Sequence, residues 1–455
     1  MNYIILILGL AVILFITFVA FGQEVLCPPV IVVIMFLLCA SIGLFRMTDW
    51  YFDEFSIKST GLILLGIISF GLLGYVGYLM PMGKKHCSYS YMACREDRIN
   101  VSFKYNFIAI MIGFIALLLF VLHIRNSLLK FGLGTGDFSD FLLRYYQLKT
   151  YHSDEVAVNG ITKILSLLAN VNAAFSLYIL IHNIVFRQFK KKDLCLLMIV
   201  MLWVLHALFD SSRGEMMLLL AETAYLIYFF WNMYYGWSNY VNRKIINWGL
   251  KMFVLLIMFF LVLTIVMGRR DSLAELEIKN YLTTYISAGI RNFDLFVQER
   301  KTHINNNIWG KETFFSINRF LYNRFNIGEY YTNILDFTNL HGISNGNVYS
   351  AFRRFYSDFG TMGVIVIPGL MGFTYTYLYK LTKRKCMAGI PNFCVLLFSY
   401  LSSELFFMPI EERFFTSDFS VNGILKLCLL YFLYLIVVRK KIVFEPRNHK
   451  IIIHK

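Results

Sequence analysis

Adjacent arginines beside an apolar run are the most chemically suggestive residues in this sequence. Arg353 and Arg354 stand in the middle of NVYSAFRRFYSDFG, Asn347 to Gly360, and a hydrophobic run follows directly. Desolvating a guanidinium without an anionic partner is costly, so arginines at the edge of an apolar span need a reason. A planar guanidinium donates two parallel hydrogen bonds and stays charged, which suits a pyrophosphate. Tyr349, Phe352, Tyr356 and Phe359 recur at three- and four-residue spacing. That spacing predicts an amphipathic helix lying against a membrane or a helical bundle, with both arginines emerging on its flank. The chemistry this implies is the grip of a lipid-linked pyrophosphate at the outer face of a membrane.

Four further arginines could join such a site. Arg213 sits in SSRGE, a very short turn between two apolar runs, with Asp210 and Glu215 flanking it as local ion-pair partners. It can hold an anion, pair locally, or bond the last carbonyls of the preceding helix. Arg269 and Arg270 stand where another apolar run ends, placed to meet lipid headgroups or to snorkel at the interface. Arg291 lies in YISAGIRNFDLF, which reads as a helix with aromatics on one side; Asp294, three residues on, is its alternative partner.

Group transfer also needs a base. His341, in LHGISNGN, and Asp358, in SDFG, are nearest to the arginine pair, and His303, Glu411 and Glu412 lie in polar stretches. A lone loop histidine is more often incidental, and Asp358 has a structural alternative as N-cap of the following span. His206 and Glu222 fall inside apolar runs, where ionisable groups are expensive and should face a cavity. With Asp210 they lie near SSRGE and could brace Arg213. The sequence has no HExxH, no GxxxxGK[ST] and no DxD-like pair in a soluble domain, so neither a metal nor a cofactor is expected.

Membrane spans must position these residues. Of 455 residues, 58% are hydrophobic and 16% charged, against about half and about a quarter in soluble domains. Eleven apolar runs have the length that crosses a bilayer as helix: about 3–22, 27–45, 59–80, 105–124, 161–186, 194–210, 215–235, 247–268, 360–380, 391–408 and 421–438. Barrel-like alternation is absent, so the expected fold class is all-α, a polytopic transmembrane bundle of about 11–12 spans. The net charge of +15 would suggest nucleic acid in a soluble protein, but here it gathers between spans and sets orientation. The eight cysteines show no metal-ligand spacing. Cys27, Cys39, Cys195, Cys394 and Cys428 read as packing residues, while Cys87 and Cys94 share one polar loop and could pair only if that loop were extracytoplasmic. The N-terminus lacks a basic n-region and a cleavage site, so the first run is expected to stay as an anchor.

The basic clusters RQFKKK (Arg187 to Lys192), NRK (Asn242 to Lys244), KLTKRK (Lys380 to Lys385) and RKK (Arg439 to Lys441) agree on one side, the cytoplasm. SSRGE, the polar segment 269–359 and EERFF (Glu411 to Phe415) then lie outside. Counting back puts residues 125–160 outside, 84–104 inside and the N-terminus outside; a twelfth span or re-entrant piece near 125–160 would reverse the early spans. Three regions follow: N-terminal spans 1–268, a large outer loop 269–359 with short amphipathic helices, and C-terminal spans with a basic tail, 360–455. A polar loop of that length is usually functional.

The combination resembles the Wzy-type O-antigen polymerases, or oligosaccharide repeat-unit polymerases. Four patches carry the likeness: LCPPVIVVIMF at Leu26 with STGLILLGIISFGLLG after it, SSRGEMMLLL at Ser211, YISAGIRNFDLF with GKETFFSINRFL at Gly310, and GNVYSAFRRFYSDFGTMGVIVIPGLMG. The family typically shows NVYT where this chain has NVYS, then DFG and a glycine-rich span. The resemblance implies a bacterial inner-membrane enzyme with a large periplasmic loop and a glycosyltransferase C-like layout. Such polymerases join repeat units carried on undecaprenyl pyrophosphate, passing the growing chain to a new lipid-linked unit with undecaprenyl pyrophosphate as leaving group. On that reading Arg213, Arg353 and Arg354 hold the diphosphates, Arg269, Arg270 and Arg291 support them, and His341 or Asp358 serves as base. Partners would be undecaprenyl-pyrophosphate-linked oligosaccharides, membrane lipids, a chain-length regulator and a flippase, with no nucleic acid. The competing readings are a flippase for the same lipid, an O-antigen ligase, and a membrane scaffold.

Overall fold

A computed structural model of the protein describes residues 1–81, 98–134, 136–152, 155–235, 237, 239–266, 278–299, 308–341, 343–386, 392–439, 442–443 and 452–453. Helices dominate: α1 (Asn2–Ala20), α2 (Pro28–Gly43), α3 (Ile57–Leu79), α4 (Phe103–Lys130), α5 (Phe138–Tyr151), α6 (Gly160–Val185), α7 (Leu194–Phe209), α8 (Arg213–Tyr235), α9 (Asn239–Val266), α10 (Ile278–Gln298), α11 (Phe315–Phe325), α12 (Phe352–Cys386), α13 (Phe393–Ser402) and α14 (Val421–Leu433). A hairpin, β1 (Thr338–Leu340) with β2 (Ile343–Gly346), and a two-residue pair, Ile442–Val443 with Ile452–Ile453, are the strands among the described residues.

Nine helices among the described residues are long and apolar enough to cross a membrane. The protein is therefore a multi-pass, helical membrane protein, since lipid forces every backbone group to find its partner within the segment. Large apolar side chains stand uncovered on these helices, including Leu8, Phe15, Phe107 and Phe114, as expected where acyl chains are the solvent. Helix starts follow from local chemistry. Ser56 accepts from the amides of Lys58 and Ser59, Ser102 from Tyr105, Asn159 from Thr162, and α2 opens on Pro28 and Pro29. Inside α12, Gly360 leaves helical geometry at φ 59° and ψ −146°, a conformation reserved in practice for glycine.

Packing divides the chain into two compact units that interleave in sequence. The first holds Met1–Ser88, Ser272–Arg384 and Leu401–Gly423; the second holds Tyr89–Asp271, Lys385–Tyr400 and Ile424–Lys455. In the first unit α1 packs on α2 and α3, and α10 packs on α2. The hydroxyl of Ser287 donates to the carbonyl of Cys39 at 2.6 Å, and that of Ser69 to Ile365 at 2.6 Å. α3 and α12 come so close that a Cβ on Gly372 would meet the carbonyl of Phe70, the small-residue contact that membrane helices use. In the second unit α4, α6, α7 and α8 form the core, with α9 against α8.

Contacts within each unit show which ends of the early helices lie together. Lys58, at the start of α3, donates to the Tyr356 hydroxyl at 2.7 Å near the start of α12. Lys380, in the basic end of α12, donates to the carbonyls of Tyr78 and Met80 at the end of α3. So α3 runs parallel to α12. Asn2 donates to the Phe55 carbonyl, while Glu24, just past α1, accepts from Tyr379 and Lys383. The N-terminus thus lies on the face opposite the basic cluster of its unit. In the second unit the chain before α4 sits beside the basic loop after α6: Arg98 pairs with Asp193 at 2.5 Å, and the Ile99 amide donates to Asn183. α5 spans 14 residues, too few to cross a bilayer. It packs through Leu142, Tyr145 and Leu148 at the non-basic end of the second unit, where Ser211 donates to the Leu142 carbonyl. No twelfth span arises from the described part of 125–160.

Candidate functional site

Arg353 and Arg354 open α12, and both are buried, at 2% and 4% exposure. The expected helix with arginines emerging on its flank is corrected by the tertiary contacts. Tyr349, Phe352 and Tyr356 are core residues of the first unit, packed on Phe36, Phe293 and Phe296. The segment 308–346 folds over the helix start and surrounds the guanidinium groups. Arg353 donates to Glu312 at 2.5 Å, lies 3.7 Å from Asp336, and sits between the rings of Phe296 and Tyr349 at 4.6 Å from each centroid. Arg354 donates to the Glu312 carbonyl at 3.1 Å and to the side-chain carbonyl of Asn333 at 2.8 Å. Two adjacent charged forks are desolvated here because carboxylates, carbonyls and ring faces meet most of their donors, while the buried Nε of Arg353 makes no hydrogen bond among the described residues.

Asp358 lies one turn beyond Arg354 but does not cap its own helix, as had been expected. Its carboxylate accepts the Glu312 amide at 3.0 Å and the Thr313 amide at 2.6 Å, and Thr313 returns a bond to the Arg354 carbonyl at 3.2 Å. One helical turn of α12 therefore clasps the turn Lys311–Thr313 and delivers Glu312 to Arg353. Gly289 and the 408–409 turn complete the support. Ser350 donates to the Gly289 carbonyl and Ala351 to that of Met408, and a Cβ on Gly289 would collide with the Pro409 carbonyl. Nearby, Glu412 is buried and accepts the amides of Phe415 and Thr416 at 2.7 and 3.2 Å. Burial pushes its carboxyl up to about 7, against the pull of those amides and of the Arg354 charge.

The other expected site residues fare differently. Arg291 is fully buried and locked. It pairs with Asp294, donates to the carbonyls of Trp50 at 2.8 Å and Tyr51 at 3.2 Å, and faces the Phe52 ring. Its alternative partner is the real one, and the residue ties α10 to the turn before α3. His341 is exposed at the hairpin tip, with φ 49°, and its ring lies tilted against Tyr51 at 4.4 Å. Among the described residues no hydrogen bond joins it to either arginine. Arg213 belongs to the second unit, is buried, and donates to Thr264 at 3.0 Å. Of the residues expected to brace it, Asp210 pairs with Lys149 at 2.7 Å and His206 bonds Ser166 at 2.7 Å between the rings of Phe120 and Trp203, while Glu222 is buried on α8. Arg269, Arg270, His303, Cys87 and Cys94 lie outside the described residues.

The structure thus brings together Arg353, Arg354 and Asp358, and adds Glu312, Asn333 and Asp336, which sequence reasoning did not single out. Glu312 could have been noticed, since it lies in the GKETFF patch; Asn333 and Asp336 carry no motif. No family model, curated protein or solved structure matches this chain.

Proposed function

We propose that this protein is a polysaccharide polymerase of the Wzy type, joining oligosaccharide units carried on undecaprenyl pyrophosphate at the outer face of a bacterial inner membrane. The observation that supports this most is the paired, preoriented guanidinium groups of Arg353 and Arg354, on the non-basic face, whose hydrogen-bonding and ionic contacts here run to the overlying polar segment. In the resting protein Arg353 is paired with Glu312 and Asp336, while Arg354 is held by neutral carbonyl oxygens. Asp336 is the exchangeable partner, because its side chain is 74% exposed and lies 3.7 Å from Arg353. A diphosphate arriving from the outer leaflet takes its place and gains a bidentate contact. As the bond from the sugar to the diphosphate oxygen breaks, negative charge grows on the leaving group, and two fixed guanidinium groups stabilise it. The acceptor hydroxyl forms the new glycosidic bond and loses its proton to a base. His341 is the solvent-open group for that step, while Asp358 acts as a positioning residue through Glu312.

The test is polymer length in cells that depend on this chain. Arg354→Ala, and the charge-neutral pair Arg353→Gln with Glu312→Gln, which leaves no buried carboxylate unpaired, should reach the membrane at normal levels. Each should cut long-chain polymer about 100-fold or more while single capped units persist. Normal ladders from both variants would refute the site. Loss of the single capped units as well would favour the flippase or ligase reading instead.

A further inference from the structure

We infer that α11 is an interfacial anchor whose outer face rests in the phospholipid headgroup layer beside the start of the α12 span. The inference does not depend on the proposed reaction. α11 spans 11 residues and none of them is buried. Ile317, Phe320, Leu321 and Arg324 follow the i, i+3, i+4, i+7 spacing that places residues on one side of a helix. Ile317 and Phe320 are 38% and 40% exposed, and Phe325 and Ile327 continue the apolar surface at 60% and 58%.

The opposite face is occupied by protein. Ser316 bonds the Thr416 carbonyl, Arg319 donates to the Tyr330 hydroxyl at 2.8 Å and to the Tyr331 carbonyl at 3.2 Å, and Tyr322 meets Tyr330. The helix is therefore held at a fixed attitude with its apolar face turned out.

Two observations identify a lipid surface as the cover. First, Trp309, 73% exposed, stacks on Phe314 at 5.0 Å and meets Phe359 at 5.3 Å. Phe359 adjoins Gly360, where α12 breaks and the apolar run begins, so this group stands at the level where the span enters the bilayer. Second, the helix FSINRFLYNRF carries Arg324 on its outer face and has no acid. Exposed aromatics with cations that reach phosphate are the composition of a membrane interface. An aqueous surface would not keep such an apolar patch uncovered.

The experiment uses the full protein in nanodiscs of phosphatidylcholine and phosphatidylglycerol. The emission of Trp309 is read as the difference between wild type and Trp309→Phe. Lipids brominated near the headgroup end of the acyl chain should quench that emission at least twofold, and aqueous iodide should quench it little. Ile317→Glu with Phe320→Glu, or the milder Arg324→Glu, should weaken the bromine quenching while the emission of the other tryptophans stays unchanged. Quenching by iodide and not by brominated lipid would overturn the inference. So would insensitivity to both quenchers that dilution of the discs converts to iodide quenching, because a second copy would then be the cover. Undiminished bromine quenching in both sets of variants would equally overturn the role of α11.

Discussion

Arg291→Met tests the distinction between an arginine that holds ligand and one that holds the fold. The wild-type side chain is fully buried, its carboxylate partner Asp294 is buried too, two backbone carbonyls accept from it, and the exposed Glu54 lies 3.7 Å away. Breaking a buried ion pair from one side costs about 3–5 kcal/mol, and each carbonyl left without its donor adds about 1 kcal/mol. These contacts share one group, so they do not sum, and a loss of about 4 kcal/mol is expected. Asp294 partly relieves the cost. Burial already holds its carboxyl above the ordinary value, despite the pull of Arg291, so it takes up a proton once the cation has gone. Arg291→Met with Asp294→Leu removes both charges and should recover about half the loss. Recovery stays partial because Asp294 also accepts the Ser56 amide at 3.0 Å and Gln298 at 2.9 Å. The assay is equilibrium unfolding in mixed micelles of rising dodecyl sulfate fraction, followed by tryptophan emission. A single variant within about 1 kcal/mol of wild type, or a double variant no more stable than the single, would refute the locked-pair reasoning.

Three other outcomes are expected. Burial raises the Glu412 carboxyl from the ordinary 4.5 to about 7. The folded state therefore holds more protons than the unfolded chain between those values, and stability falls as pH rises through that window, then levels off. Glu412→Gln should remove this slope from thermal midpoints measured in detergent between about pH 4 and pH 9; an unchanged slope would assign it to another group. Gly289→Ala should cost about 1–3 kcal/mol, because the new methyl meets the Pro409 carbonyl, and unfolding in the same micelles measures it. An epitope placed before Met1 should be cleaved by protease added outside intact spheroplasts, since the N-terminus lies opposite the basic cluster of its unit; protection would reverse the early spans.

The sequence by itself determined that the chain is a helical, multi-pass membrane protein, because hydropathy and length are local properties and lipid leaves the backbone no other solution. Of the eleven apolar runs read from it, nine correspond to helices long and apolar enough to cross a bilayer among the described residues, and the run at 391–408 forms a shorter apolar helix. The basic clusters at Arg187 and Lys380 were legible too, since each is contiguous in sequence. The relative direction of the early helices was not, because it depends on pairings such as Lys58 with Tyr356, 298 residues apart. The same limit governed the candidate site. That Arg353 and Arg354 needed anionic or carbonyl partners followed from the expense of desolvating them, but which groups answered did not. Glu312 lies 41 residues from Arg353 in the chain, and Trp50 lies 241 from Arg291. Arginines that look alike on paper became a paired, loop-held site in one case and a structural lock in another. A guanidinium is defined by what reaches its five donors, and only the folded chain brings those groups within hydrogen-bond distance.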